Sequence, residues 1–246
     1  MIFGTSAFAD TGNASGMGPG LFAGADGNLS IKRSLVHFDL SSLSPSVTAT
    51  AVHLDLKLGQ IAGSGGGGGG GGGCGMFCDY DNRQFYLLRV THDWTEGTTG
   101  SPTSPNMSGT GQGWSYSTCN CSDVSWDYYS YTAGTPPTGK WTTAGSSPYQ
   151  DVDTTPDATA TFSTPYSLGM THTFDGDSMT NANMLATVNA WIDGVGNGGV
   201  ANYGWEIRSV FLEDDQASFL GWWSKDVYMT SMAHSTFEGP VLRVIY

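Results

Sequence analysis

In the stretch TAVHLDLKL, residues 50–58, apolar and polar side chains alternate from Val52 to Leu58. The apolar positions share one face of an extended chain: Val52, Leu54, Leu56 and Leu58. The polar positions share the other face: His53, Asp55 and Lys57. A period of two with one apolar face is typical of an antiparallel strand that covers a hydrophobic core. The stretch therefore predicts an antiparallel sheet packed on a core.

Further strand patterns recur along the chain, separated by turn-forming clusters. In RSLVHFDL, residues 33–40, the apolar face carries Val36, Phe38 and Leu40, and the polar face carries Arg33, His37 and Asp39. The other predicted strands lie in QFYLLRVT (84–91), YGWEIRSVFL (203–212) and PVLRVIY (240–246). One short helix is predicted over residues 183–192, where Leu185, Val188 and Trp191 form a single stripe. The sequence thus predicts an all-β protein with one short helix.

Nine consecutive glycines, Gly65–Gly73, interrupt the strand pattern. They form either a tether between two domains or an insertion within one domain. The strands on the two sides of the run, at 50–58 and 84–91, each have an apolar face that neither could bury alone. We therefore predict that these strands are neighbours in one sheet, and that residues 59–80 are a Gly- and Cys-rich insertion.

Four cysteines occur as two close pairs, Cys74 with Cys78 and Cys119 with Cys121. The CxxxC and CxC spacings are not the CxxC knuckles of a four-thiolate zinc site. Both pairs lie in loop-like sequence rich in glycine and serine. We predict two disulfides that join one loop to the other, with a metal site or free thiols as the alternatives. Disulfides imply an oxidising compartment.

The chain is poor in charge and strongly acidic. Its 9 Lys and Arg residues against 22 Asp and Glu residues give a net charge of −13, and only 13% of residues are charged. Such a surface repels nucleic acid and anionic membrane headgroups. No apolar run is long enough to span a bilayer. We expect neither a nucleic-acid partner nor membrane insertion.

Aromatic side chains concentrate in the region 97–165, which is rich in Ser, Thr, Gly and Pro and has few predicted strands. They are Trp114, Tyr116, Trp126, Tyr128, Tyr129, Tyr131 and Trp141. Exposed rings of this kind stack on sugars or fill subunit interfaces. The alternative, which we favour for most of them, is that they supply a small core for this loop-rich region.

Two acidic loops are candidates for structural calcium, which prefers hard oxygen ligands. One loop carries Asp175 and Asp177, and the other carries Glu213, Asp214 and Asp215. Neither loop has the spacing of an EF-hand. Solvated acidic loops without a metal are the alternative that we favour, and no other cofactor is predicted.

Two further polar groupings are candidates for a site. His37 and His53 lie on the polar faces of strands that we expect to be close in the sheet, where a metal could bind both imidazoles, although solvated imidazoles are the alternative that we favour. Asp93 and Glu96 could form the carboxylate pair of a glycosidase, but we favour a structure in which Trp94 plugs the core and the acids bond turn amides. No nucleophile or metalloprotease motif occurs. We therefore predict no catalytic residues and no enzymatic activity.

Five segments in this order resemble the DNRLRE-domain family of secreted bacterial proteins, which includes carbohydrate-binding modules. They are GPGLFAGADGNLSIKRSLVHFDLSSLSPSVTATAVHLDLKL (18–58), LLRVTHDWTEGTT (87–99), VSWDYYSYTAGTPPTGKWTTAGSSP (124–148), VNAWIDGVGNGGVANYGWEIR (188–208) and GPVLRVIY (239–246). The resemblance implies an antiparallel jelly-roll-like β-sandwich with long loop insertions, in a secreted or cell-surface protein without catalytic activity. It covers residues 15–246, which we assign to one domain. Residues 1–14 form an N-terminal segment, either a leader remnant or an extension.

Two functions of different class follow from this picture. The first is an extracellular structural protein of the cell surface or matrix that associates with itself as a filament or surface-layer subunit. In this hypothesis the glycine run lies against the backbone of another subunit, because a solitary domain would gain little from ordering it. The second is a carbohydrate-binding module with a polysaccharide partner. A glycoside-active enzyme is the weakest alternative.

The cysteine pattern gives a prediction that can be tested on the purified protein. Disulfides between the 74/78 loop and the 119/121 loop should stabilise the fold by about 2–4 kcal/mol or more, because they restrict the unfolded chain. Non-reducing peptide mapping should recover cross-linked peptides from the two loops. Four free thiols, or stoichiometric zinc, would contradict the prediction.

Overall fold

The computed structural model of the protein describes residues 18, 20–25, 31–61, 83–96, 124, 127–130, 139–143, 145–146, 150–210, 219–226 and 238–246. For residues 2–9, 13–15 and 114–115 it describes the backbone alone. The fold is all-β and sandwich-like, as the sequence predicted, with one α-helix in the described part.

The strands and helices follow one another along the chain with the following bounds. They are β1 (Ile2–Ala9), β2 (Asn13–Ser15), β3 (Gly20–Ala25), β4 (Ile31–Phe38), β5 (Ala51–Ile61), β6 (Arg83–Arg89), β7 (Trp114–Ser115), β8 (Tyr128–Ser130), β9 (Gly139–Lys140), β10 (Ala158–Phe162), β11 (Thr171–Gly176), α1 (Ala182–Asp193), a short 3-10 helix (Val195–Asn197), β12 (Trp205–Ser209), β13 (Leu220–Trp223) and β14 (Val241–Ile245).

The principal sheet is antiparallel and curled, with the strand order β10-β6-β12-β4-β3-β13-β5-β11. β1 adds to β4, and β14 adds to β5. β4 connects the two halves of the sheet, because Ser34–Val36 pair with β12 while Ile31 and Lys32 pair with β3. The curl brings the terminal strands together, and the rings of Phe162 on β10 and Phe174 on β11 lie 5.5 Å apart.

The inside of the curl holds the main hydrophobic core. The predicted apolar face of β5 is completely buried there: Val52, Leu54, Leu56 and Leu58. Trp222 and Phe85 contact each other edge to face across this core, with ring centroids 5.2 Å apart. Burying each such side chain stabilises the fold by about 1.5–3 kcal/mol. The period-two pattern at residues 50–58 therefore identified the inner wall of the fold correctly.

The predicted helix is confirmed as α1, and it closes one end of the main core. Val188 and Trp191 are buried against that core, whereas Leu185 is only partly buried. Asn181 fixes the start of the helix, because its amide donates to the carbonyl of Asp175 and accepts from the backbone N–H of Thr159. The helix ends at Gly194, which adopts a φ of 66°.

A second hydrophobic cluster covers the outer face of β4 and β6. It consists of Leu35, Leu88, Val90, Trp94, Val124, Trp141 and Val152. The prediction that Arg33 and His37 share an open polar face was wrong for this strand, because Leu35 and Arg33 are buried on that face. The loop-rich region contributes Val124, Trp141 and Val152 to this cluster, so the side chains described there share a core with β4 and β6 and do not form one of their own.

The strands that flank the glycine run belong to the same sheet but are not neighbours, which corrects our prediction. β5 pairs with β11, β13 and β14, whereas β6 pairs with β10 and β12. The chain between Ile61 and Arg83 therefore joins two separated parts of the curl. The pattern of apolar positions predicted each strand, but it carries no information on which partner each strand would take.

The N-terminal boundary also differs from the expected one. We placed the domain at 15–246, but β1 pairs antiparallel with β4 over a register that includes Thr5 opposite Val36. The sheet therefore includes residues that we had assigned to a separate segment at 1–14.

Gly204 is a position at which the fold requires glycine. Its φ is +77°, and a Cβ atom built there would overlap the carbonyl oxygen of Val36 on β4. We expect Gly204→Ala to lower the free energy of unfolding by about 3 kcal/mol or more, through backbone strain and the clash together. Gly169→Ala is the matched control, because φ is +85° but no atom lies within 4 Å of the added carbon. Its cost should be about 1 kcal/mol. Equal losses in urea unfolding would contradict this interpretation.

Candidate functional site

Several candidate residues lie outside the described residues. They are the four cysteines Cys74, Cys78, Cys119 and Cys121, the acidic loop Glu213, Asp214 and Asp215, and the rings of Tyr116, Trp126 and Tyr131. Of Trp114 only the backbone is described, in a short pairing of β7 with β2. The disulfide prediction and the second calcium hypothesis therefore stay predictions.

The described aromatic candidates are part of the second hydrophobic cluster. Trp141 is 1% exposed, so its ring cannot stack on a sugar. Tyr129 contacts Trp141 at 5.3 Å between centroids and stacks on His92 at 4.8 Å. Tyr128 is half-buried. For Trp141 and Tyr129 the interpretation as core residues accounts for the contacts better than the interpretation as a glycan platform.

In the segment that follows β6, Trp94 has a structural role and Glu96 forms an ion pair. Trp94 is buried, and its indole N–H donates to the carbonyl of Tyr203 at 2.8 Å. Glu96 lies 2.8 Å from the ammonium of Lys225, which also contacts Asp226. We expected Glu96 to bond turn amides, but this contact is with a lysine. The Glu96 carboxylate is thus paired with a cation in the described structure.

The two strand histidines are not brought together, contrary to our expectation. His37 lies on β4 and His53 on β5, and these strands do not pair with each other. His53 contacts the carboxylate of Asp175 on β11, with Nδ1 2.6 Å from Oδ1. In the part of the chain that the structure describes, no group of three or more His, Cys, Asp or Glu side chains is arranged to hold a metal ion.

The acidic loop after β11 uses its carboxylates for its own conformation. Asp177 accepts hydrogen bonds from the backbone N–H groups of Met179 and Thr180, both at 2.7 Å. These bonds hold the pKa of the Asp177 carboxyl below its usual range. Asp175, on β11, contacts His53 on β5 instead. Turn bonding therefore accounts for the Asp177 carboxylate, and a cross-strand contact accounts for that of Asp175.

The outer face of β5, β11 and β14 carries a network of paired charges. Asp55 at its centre accepts a bidentate contact from the guanidinium of Arg243 on β14, at 2.8 and 3.2 Å, and a bond from the Thr173 hydroxyl on β11. Burial alone would raise the pKa of Asp55, but these bonds outweigh it and the pKa is lowered. Beside this network Lys57 lies 3.8 Å from Glu238. The face is therefore polar and locally balanced in charge.

β14 forms an edge of the sheet. Among the described residues it pairs with β5 alone, so its second edge has no strand partner there. Leu242 and Val244 pack on the main core, while Val241 and Ile245 point outward and are 45% and 48% exposed. Tyr246 follows them and is exposed. The alternation in PVLRVIY predicted this strand, but not that two apolar side chains, Val241 and Ile245, would be exposed on either side of Arg243 on its outer face.

A cleft of about 420 Å³ lies between the segment after β4 and the end of α1. Its apolar walls include Phe38, Leu43 and Trp191, and its rim carries Asp39 and Asn202. Both rim groups are engaged locally, because Asn202 donates to the carbonyl of Phe38 and Asp39 accepts from the backbone N–H of Ser41. The hydrogen bonds of both rim groups therefore stabilise the conformation of the local chain.

Among the buried titratable groups, Asp157 and His172 have the strongly shifted pKa values, and no sequence motif pointed to either. Asp157 accepts from the indole N–H of Trp205 at 2.7 Å and from the hydroxyl of Thr187 at 2.9 Å. Burial, only partly offset by these bonds, raises the pKa of Asp157 to about 6.

His172 lies in the aromatic part of the main core. Its ring stacks on Phe162 at 4.1 Å between centroids, and its Nδ1 accepts from the indole N–H of Trp222 at 3.0 Å. The proton of the neutral ring is therefore on Nε2, which is buried and has no hydrogen-bond partner among the described residues. Burial lowers the pKa of His172 to about 4.

Asp157 and His172 should make the free energy of unfolding depend on pH in opposite directions, over nearly the same pH range. Asp157 is protonated in the folded state up to a pKa of about 6 but ionised in the unfolded state above about 4. Its favourable contribution is therefore lost as the pH rises through 6. His172 is neutral in the folded state down to about pH 4, whereas the unfolded chain binds a proton below about 6.5. Its contribution is therefore lost as the pH falls from 6.5 towards 4.

The variants Asp157→Asn and His172→Phe should separate the two effects. The free energy of unfolding of Asp157→Asn, relative to that of the parent, should increase by up to about 3 kcal/mol as the pH rises from 4 to 7. That of His172→Phe, relative to the parent, should increase by a similar amount as the pH falls from 7 to 4. Urea unfolding at several pH values measures both differences. Parallel stability curves for parent and variants would contradict the assignment of these buried groups.

No protein-family model matches the chain, and no curated protein matches it either. The resemblance to the DNRLRE-domain family therefore stays a prediction. No helix in the described part of the chain is long and apolar enough to cross a membrane.

Proposed function

We propose that this is a non-enzymatic extracellular structural protein whose subunits associate through the edge strand β14. The observation that carries the proposal is the exposed apolar face of β14 beside an edge that has no strand partner in the described structure. A strand edge presents backbone N–H and C=O groups that a second chain can pair with. The occupant that we assign to this edge is β14 of a second copy.

The side chains of β14 do little to oppose such pairing. Natural edge strands are usually protected by lysines, prolines or inward-pointing charges. β14 contains one charged residue, Arg243, and its guanidinium is held by Asp55 on the neighbouring strand. The exposed residues on either side of Arg243 are Val241 and Ile245, both of which favour β structure. The strand is therefore a good partner for another apolar strand.

The charge of the molecule favours contact at this place over others. The chain carries a net charge of −13, so two copies repel each other over most of their surface. Around β14 the described charges are paired with opposite charges, in Arg243 with Asp55 and Lys57 with Glu238. Repulsion is therefore weakest where the apolar edge is exposed.

Antiparallel pairing of β14 with β14 of another copy has twofold symmetry and gives a closed dimer. Growth into a filament or surface layer needs a second, different contact. The glycine insertion at 59–80 is our candidate for that contact, as the sequence suggested. The low-charge, glycine- and aromatic-rich composition supports an extracellular location, and the described aromatic contacts favour this structural role over a carbohydrate-binding one.

The proposal predicts that a charge on the outer face of β14 prevents association. Ile245→Lys places an ammonium group at the proposed contact, where pairing would bury it against the apolar side chains of the second copy's β14. We expect the parent to associate with a concentration-dependent sedimentation coefficient and Ile245→Lys to weaken this association at least about tenfold, because burying a charge without a partner costs more than about 1.4 kcal/mol. Sedimentation velocity over a range of protein concentrations makes the measurement.

Val195→Lys is the matched control, since Val195 is also an exposed β-branched side chain, at 71%, but belongs to the 3-10 helix that follows α1 and not to β14. It introduces the same charge and should associate like the parent. A parent that is monomeric at all concentrations, or equal weakening by both substitutions, would overturn the β14 assignment.

A further inference from the structure

A buried polar network lies where residues 145–146 cross the outer side of β12. At its centre is Glu206, which is 0% exposed, and beside it is Ser146, which is 3% exposed. Arg208 lies two residues further along β12, and both its Nε and its Nη2 are 2.6 Å from Oε1 of Glu206. The carboxylate is therefore charge-paired and protected from water.

The Ser146 hydroxyl is oriented by this network. It donates to Oε2 of Glu206 at 2.5 Å and accepts from Nη2 of Arg208 at 2.7 Å. A hydroxyl that donates to a carboxylate can lose its proton to that carboxylate as its oxygen attacks a carbonyl carbon. Ser146 thus has a nucleophilic oxygen with a base in place.

The carbonyl group next to this hydroxyl is polarised by two cations. The carbonyl oxygen of Gly145 accepts from Nη1 of Arg33 on β4, and Nη2 of Arg208 lies 3.5 Å from it. Fixed positive donors on a carbonyl oxygen stabilise the negative charge that develops there during nucleophilic attack. This carbonyl belongs to the peptide bond that joins Gly145 to Ser146.

The same peptide bond is followed by strained backbone. Ser146 has a φ of +64°, a region that side chains other than glycine rarely adopt. Such strain is retained only where surrounding contacts enforce it, and breaking the bond before Ser146 releases it. Nucleophile, base, oxyanion donors and strain therefore meet at one peptide bond.

We propose that the chain cleaves itself between Gly145 and Ser146. Oγ of Ser146 attacks the carbonyl carbon of Gly145 through a five-membered ring, and its proton passes to Glu206. The bond between this carbon and the nitrogen of Ser146 then breaks, and Glu206 returns the proton to that nitrogen. The result is an ester between Gly145 and the Ser146 side chain, with a free α-amine on Ser146.

Water completes the reaction. Its oxygen adds to the ester carbonyl, the bond to Oγ breaks, and Oγ takes a proton. The products are a chain ending in the Gly145 carboxylate and a chain beginning at Ser146. Each molecule reacts once on itself, so the step is self-processing and is separate from the proposed association through β14.

The two products stay together after cleavage. β4, β5 and β6 precede the cut, and their partners β12, β11, β14 and β10 follow it. Every one of these pairings joins the two pieces, which also share the main core. The reaction therefore becomes visible only when the protein is denatured.

Denaturing electrophoresis and intact-mass spectrometry of the full chain, incubated at neutral pH with and without hydroxylamine, test the proposal. We expect fragments 1–145 and 146–246 whose summed mass exceeds that of the chain by one water. Hydroxylamine, which attacks esters, should accelerate the cleavage and leave a hydroxamate on Gly145. The undenatured sample should still elute as one species in size exclusion.

Variants separate self-cleavage from proteolysis. Ser146→Ala should abolish the fragments, and Glu206→Gln should slow their formation by about 100-fold or more. Ser146→Cys keeps a nucleophile and should still react, while Ser147→Ala, the neighbouring hydroxyl, should behave like the parent. A chain that stays intact with hydroxylamine, or fragments that form equally in Ser146→Ala, would overturn the proposal.

Discussion

The hydroxyl of Ser34 allows β4 to serve both halves of the curled sheet. At this residue β4 leaves its pairing with β12 and turns to β3, so the backbone of Phe22 on β3 would lose its partner on β4. The Ser34 hydroxyl accepts from the N–H of Phe22 at 2.7 Å and donates to its carbonyl at 2.9 Å. Because Ser34 is fully buried, leaving the backbone N–H and C=O of Phe22 without hydrogen bonds there would lower the stability of the fold. The change of partner, and with it the curl that encloses the main core, depends on this double contact.

Local pattern and global arrangement were predictable to different degrees. The apolar positions of β5 and the stripe of α1 follow from periodicity alone, because each element needs only one face to be buried. Leu35 and Arg33 on β4 could not be placed, because a distant, loop-rich segment covers their face and its sequence has no periodicity. Strand partners were equally hidden, since the pattern that makes 84–91 a strand is the same beside β5 or beside β12. The exposed edge of β14 was missed for a related reason: exposure is decided by what lies next to a strand.

The polar interior shows why titratable groups are hard to locate from sequence. Asp157 ties α1 to β12 through Thr187 and Trp205, and these three residues come from separate parts of the chain. His172 lies among aromatic rings, and its Nδ1 accepts a hydrogen bond from Trp222. One group resists losing its proton inside the fold and the other resists gaining one. Because the two ranges of pH overlap, the fold contains both groups with little net change in stability between pH 4 and pH 6.5.

Cleavage at Gly145 and association at β14 are compatible because they involve different parts of the sheet. The bond before Ser146 lies against β4 and β12, in the second hydrophobic cluster's half of the fold, whereas β14 pairs with β5 in the other half. A cut there removes no strand pairing and leaves β14 joined to β5, so the edge offered to a second copy is unchanged. Cleavage instead gives the molecule a new carboxylate and a new ammonium group beside the Glu206–Arg208 pair. Because these charges are opposite, the net charge stays the same, and so does the repulsion that directs copies towards the balanced face around β14.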